Sequence, residues 1–136
     1  MRDLIDFISR EYRGKIVEIG VGKYQEVARE LIKLGFNVVV TDVRQIPSDL
    51  KIIIDDVCNP RLEIYRGATL LYSIRPPYEI QRCILSLAKK IGSDVIIVPL
   101  KNEIINGGTL INYKSVRFYL FTRQSLQALS ADLQTP

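Results

Sequence analysis

The chain of 136 residues has no histidine and no tryptophan, one methionine and two cysteines. Without histidine it lacks the usual general base near neutral pH and the usual metal-binding side chain. Cys58 and Cys83 stand too far apart in sequence to form a C-x-x-C pair, so no zinc or other metal site is expected. In a reducing compartment they read as two separate thiols filling small gaps in the core. Long apolar runs are also missing. Runs such as 38–40 and 95–98 are far too short to cross a bilayer. The first residues alternate charge with Leu4, Ile5, Phe7 and Ile8 and do not form the continuous apolar core of a signal peptide. The expected location is therefore cytoplasmic, with no membrane association.

The composition is ordinary for a globular domain, with 47% hydrophobic and 25% charged residues. The length suits one core. The net charge of +4 comes from basic residues scattered among acids, so the surface permits nucleic-acid contact without indicating it.

Apolar spacing predicts a helix over residues 2–13, a buried strand over Lys15–Ile19 and a second helix over 25–34 that stops at Gly35. Strands follow at 36–41 and 51–54, separated by the turn Ile46-Pro47-Ser48-Asp49. Residues 60–66 can hold one or two helical turns. A strand over 68–73 ends before Pro76-Pro77, whose nitrogens cannot donate to a ladder. A helix over 79–91 stops at Gly92, and an almost wholly apolar strand spans 94–99. A loop at 102–108 leads into two strands joined at Lys114-Ser115, Thr109–Tyr113 and Val116–Phe121. Alternating strands and helices, with strands apolar throughout, imply a three-layer α/β fold of the Rossmann type. Its sheet should hold five parallel strands plus a C-terminal antiparallel hairpin, with helices on both faces. One domain is expected over 1–123. In the tail 124–136, Leu126, Leu129 and Leu133 fit one face of a short helix, and fraying fits equally well.

The strongest functional signal is Val17-Glu18-Ile19-Gly20-Val21-Gly22, followed by a helix and a strand ending at Asp42. Glycines permit a tight strand-to-helix bend and close ligand approach. The helix start should offer free N–H groups and a positive dipole end to an anionic group. A carboxylate at Asp42, on the tip of the adjacent strand, suits a ribose diol. Together these point to an adenosine-containing ligand. A dinucleotide fingerprint wants a third glycine three residues after Gly22, and Gln25 stands there.

With its acid two residues ahead of Gly20, the motif resembles the first motif of S-adenosylmethionine-dependent methyltransferases. That resemblance implies S-adenosylmethionine as cofactor. It carries over to Glu18, Gly20, Val21, Gly22 and Lys23 at the bend, and to Asp42 with Val43 as the ribose acid and its neighbour. Asp56-Val57 takes the adenine-edge position after the third strand, with Asp55 beside it, and Ser73 lies at the end of the fourth strand. The segment Ser73-Ile74-Arg75-Pro76-Pro77-Tyr78 resembles the amine-binding motif of amino-group methyltransferases, in which Asp, Asn or Ser directly precedes Pro-Pro-Tyr. Here Arg75 occupies the decisive position. Arginine has five donors and no acceptor, so it cannot orient an amine lone pair. Arg75, Pro76, Pro77 and Tyr78 are thus candidate substrate residues for a carboxylate or phosphate.

From about Ile16 to Phe121 the chain resembles a small family of uncharacterised archaeal methyltransferase-like proteins. In the methyltransferase family a helix usually precedes the sixth strand, and a lid is common. Residues 102–108 replace that helix, which leaves an open cleft for a substrate or a second subunit, as in a homodimer, to close. The functional expectation is a methyltransferase-like protein that binds S-adenosylmethionine, with its substrate and catalysis open. The alternatives are an NAD(P)-binding module, or a catalytically inactive binding protein for RNA or a protein partner.

Overall fold

The computed structural model describes residues 1–128. Helix α1 (Arg2–Glu11) precedes β1 (Lys15–Ile19), α2 (Glu26–Lys33), β2 (Asn37–Asp42), β3 (Ile52–Ile54) and the single turn α3 (Leu62–Tyr65). The chain continues through β4 (Ala68–Ile74), α4 (Tyr78–Ile91), β5 (Asp94–Val98), β6 (Thr109–Tyr113), β7 (Val116–Phe121) and α5 (Arg123–Ala128). Of the expected tail helix, Leu126 is buried in α5, whereas Leu129 and Leu133 lie outside the described residues.

Seven strands form one sheet in the order β3-β2-β1-β4-β5-β7-β6. The first five pair in parallel, and β7 runs antiparallel between β5 and the edge strand β6. The predicted five-plus-hairpin arrangement is therefore observed. The hairpin enters the sheet by its second strand. Each parallel strand is apolar on both faces because helices cover both sides. On one side Val17, Leu71, Val95 and Ile97 pack beneath Ile84, Leu87 and Ala88 of α4. On the other, Ile16, Leu70, Tyr72 and Ile96 pack with Leu4, Ile8 and Tyr12 of and just after α1, and with Val27 and Leu31 of α2. No helix forms between β5 and β6, as the glycine-rich loop sequence implied.

Helix α1 is locked to the terminal hairpin. The Tyr113 hydroxyl and the Lys114 ammonium both donate to Asp6, at 2.6 and 3.0 Å. The Ser115 N–H and hydroxyl both donate to Asp3. Phe7 meets Phe118 and Tyr113 edge-on. Lys114 takes a positive φ of 54°, which closes the two-residue turn.

The cysteines correct the sequence reading. Cys58 and Cys83 are not separate core thiols but form a disulfide, with Cα atoms 4.9 Å apart across 25 residues of sequence. Cys58 is exposed and Cys83 half-buried. The loop after β3 and the second turn of α4 meet only because successive crossovers place them on the same side of the sheet. Sequence spacing carries no trace of that meeting.

Candidate functional site

Parallel strands β1, β2, β3 and β4 all end on one edge of the sheet, where α/β folds place their ligands. A cavity of about 400 Å³ opens there. Its lining includes Gly20, Gly22, Asp42, Val43, Asp56 and Val57, together with Ser73, Arg75, Pro76 and Pro77. Four segments far apart in sequence are thus brought together as the motif reading required. The other candidates take different places. Glu18 and Val21 are buried beneath the bend, Lys23 lies in a shallower neighbouring cleft, and Tyr78 is 65% exposed outside the lining.

The bend needs its glycines: Gly20 and Gly22 have φ of 69° and 57°, the left-handed region that side chains disfavour. A Cβ on Gly22 would meet nothing within 4 Å, because the residue faces open space. The bend's amides, however, are not free as the sequence reading expected. Gly20 and Val21 N–H groups donate to the Thr41 carbonyl at 3.0 and 3.1 Å, and Gly22 N–H donates to Asp42 Oδ2 at 2.9 Å. Two stitches from β2 therefore satisfy the bend before any ligand arrives. The Arg44 N–H donates to the other oxygen of Asp42 at 2.9 Å. Asp42 is only 5% exposed, and these bonds fix its carboxylate between the bend and the end of β2. Each oxygen retains a second lone pair.

Behind the bend, helix α2 begins unlike an anion site. Gln25 is buried, its amide donating to the Gly22 carbonyl at 3.0 Å while its oxygen accepts from Ser48 Oγ at 2.5 Å. Glu26 occupies the first turn, so a carboxylate already neutralises the positive helix end.

Glu18 lies in β1 between β2 and β4, 1% exposed, and its carboxyl accepts from the Tyr72 hydroxyl at 2.7 Å. Burial raises its pKa to about 8; the Tyr72 bond pulls it down and nearby Asp42 pushes it up again. Burial likewise raises the Tyr72 phenol well above its ordinary value. Tyr24, just past the bend, is pushed up to about 12 by partial desolvation and by its bond to Glu26.

The far wall comes from the loop after β3. Asp56 is exposed, and its Oδ1 accepts from the Cys58 N–H at 2.9 Å. Asp55 is buried and serves the fold: it accepts from the Tyr65 hydroxyl at 2.6 Å and from the Arg61 guanidinium at 3.1 Å. The Ser73 hydroxyl donates to the Ile19 carbonyl at 2.7 Å, which ties the ends of β1 and β4 together. Arg75 then leaves β4 with φ of 54°, its N–H donating to the Val98 carbonyl at 2.8 Å. A non-glycine residue in this region is strained, and the bond to β5 holds it there.

The sequence reading missed Ile19, Thr41, Arg44, Ile74 and Ile80 as lining residues. Thr41 and Ile74 sit at strand carboxyl ends, and that position was the available signal. Arg44 and Ile80 arrive by a loop and a helix and carry no comparable mark.

Solved structures with the same fold include a glycopeptide N-methyltransferase, MtfA, complexed with S-adenosyl-L-methionine. It is 10% identical, with a TM-score of 0.57, covering 96% of this chain and 81% of that one. The antibiotic-resistance methyltransferase Kmr is 11% identical with a TM-score of 0.56, covering 88% and 90%. At such identities the likeness concerns the fold, which is of the methyltransferase type. Among sequence relatives, a UPF0146 protein of Archaeoglobus fulgidus is 41% identical over 127 residues, covering 92% of this chain and 97% of the relative. One from Methanocaldococcus jannaschii is 40% identical over 117 residues, covering 81% and 85%. Residues 1–123 match the model of UPF0146, described as an uncharacterised protein family, and the chain belongs to that family.

Proposed function

We propose that the cavity at the carboxyl ends of β1, β2 and β4 binds S-adenosylmethionine, and that the chain is a methyltransferase-like protein. The observation that carries this reading is the polarity of the bend. Its amides are taken, the helix behind it carries an acid in its first turn, and Asp42 and Asp56 line the space in front. A diphosphate would need free amides and an unopposed helix dipole. A ligand with one carboxylate, one ammonium and a cationic sulfur does not. The volume also lies within the range of roughly 300–1,000 Å³ typical of small-molecule sites.

In this reading Asp42 accepts from the ribose hydroxyls through its remaining lone pairs, and Asp56 accepts from the adenine amine. Ile19, Val57 and Ile80 supply the apolar walls. When bound, the cofactor supplies an electrophilic methyl group on sulfur. Arg75, fixed at the mouth by its backbone, binds a carboxylate or phosphate of the acceptor with its forked donors. Val43, Tyr78, Leu100 and Ile104 stand exposed along the same edge, which favours closure of the open cleft by a second copy of the chain.

Calorimetry with S-adenosylmethionine, S-adenosylhomocysteine and NAD tests the assignment. The two adenosyl sulfur compounds should bind in the micromolar range, NAD should not compete, and Asp42→Ala should abolish binding. NAD binding without the others would refute the reading, and sedimentation at high concentration checks the dimer.

A further inference from the structure

A second cleft of about 280 Å³ lies on the outer side of the loop after β3, and the disulfide forms part of its wall. Both Cys58 and Cys83 line it, with Cys58 exposed to solvent. On α4 the lining residues Arg82, Ser86 and Lys90 recur every fourth position, so they run as one row beside Cys83. Two cations therefore line the same cleft as the disulfide. Such a setting attracts an anionic thiolate and stabilises the thiolate that leaves.

The disulfide also bears on the ligand cavity. Val57 lines both spaces, and Asp56 lines the ligand cavity next to it. The hydrogen bonds that shape this segment close within it: Cys58 N–H to Asp56 Oδ1, and Asn59 N–H to the Asp56 carbonyl, both at 2.9 Å. They fold the loop without attaching it to α4. Val57 packs into the core cluster that holds Ile84 and Leu87 of α4, and the Cys58–Cys83 bond adds the covalent attachment, so the two faces of one short segment carry the cross-link and the cavity wall.

We propose that Cys58–Cys83 is a thiol–disulfide exchange site for small anionic thiols, and that exchange there releases the cavity wall carrying Asp56 and Val57. An incoming thiolate attacks the Sγ of the exposed residue Cys58, a mixed disulfide forms, and the Cys58–Cys83 bond breaks. Cys83 leaves as a thiolate and takes a proton from water. A second thiolate attacks the sulfur of the bound thiol, forms the external disulfide and frees Cys58. Two thiols are oxidised and one protein disulfide is reduced. The effect on ligand affinity rests on the adenosyl reading above, whereas the loop release does not.

The test compares reduction rates of the full chain by 3-mercaptopropionate, 2-mercaptoethanol and cysteamine at equal thiolate concentration. The anionic thiol should react fastest and the cationic one slowest, by about tenfold overall at low salt, with the spread collapsing at high salt. Equal rates or the reverse order would overturn the anionic preference. Hydrogen exchange on oxidised and reduced protein should rise about tenfold or more in residues 56–60 and stay unchanged in β1, β2 and β4. Unchanged exchange at 56–60, or a uniform rise across the sheet, would overturn the release. The double substitution C58S/C83S should show the reduced pattern without reductant. S-adenosylmethionine should then bind about fivefold or more weakly to the reduced chain. Equal affinity in both states refutes the coupling, and absent binding in both refutes the adenosyl reading while the exchange data still decide the release.

Discussion

Replacing Glu18 by glutamine isolates the consequence of burying an acid beneath the glycine bend. The carboxyl is 1% exposed, accepts from Tyr72, and holds its proton up to about pH 8 instead of the ordinary 4.5. The folded state therefore binds a proton that the unfolded chain releases above pH 4.5. Stability falls as pH rises between these two values and levels off above the higher one. Each unit costs about 1.4 kcal/mol, so the loss reaches about 3 kcal/mol at pH 7 and about 5 kcal/mol beyond pH 8. Glutamine carries no charge at any pH and retains an oxygen for the Tyr72 hydroxyl. Calorimetric melting of Glu18→Gln and the parent from pH 4.5 to 9 should give curves that nearly coincide at the acid end. Above that they should diverge by about 3 °C per kcal/mol, with the variant the more stable near pH 8. A melting difference independent of pH would refute the buried, proton-holding carboxyl.

Two glycines give sharper tests of packing and backbone. In Gly108→Ala the new Cβ would stand 2.8 Å from the ring of the fully buried Phe121, so overpacking should cost about 1–3 kcal/mol in denaturant unfolding. In Gly20→Ala space is available, the nearest side-chain atom being Ser73 Oγ at 3.9 Å, and the penalty is conformational. At φ of 69° that penalty should be about 1–2 kcal/mol, read as a lower midpoint with an unchanged denaturant slope.

Much of the fold was legible because each strand is a short apolar run bounded by glycine, proline or aspartate. Strand order and the parallel core follow from the handedness of crossovers once the alternation of elements is read. The bend and Asp42 were legible for a similar reason. Gly20, Gly22 and Asp42 are local features whose spacing survives folding, and the structure places all three on one cavity. What the sequence concealed depends on what meets across the fold. The Thr41 carbonyl claims the amides of Gly20 and Val21, a pairing set by the register of β1 against β2. Asp55 and Asp56 are neighbours in sequence and both line the cavity, yet Asp55 is buried and bonded to Tyr65 whereas Asp56 is exposed. The cysteine pairing was hidden for the same reason. An accessible disulfide is also no guide to compartment, since intracellular proteins of hyperthermophiles carry them too.

The clamp between α1 and the terminal hairpin ties together residues 107 and 112 positions apart in sequence. During synthesis the first helix emerges long before Tyr113, Ser115 and Phe118 exist to receive it. Phe7 and the carboxylates of Asp3 and Asp6 must wait for almost the whole chain. Such distant closure slows folding and ties the order of the N-terminal segment to completion of the C-terminal one. A ribosome stalled before β6 would hold a nascent sheet whose opening helix has no hairpin on which to settle.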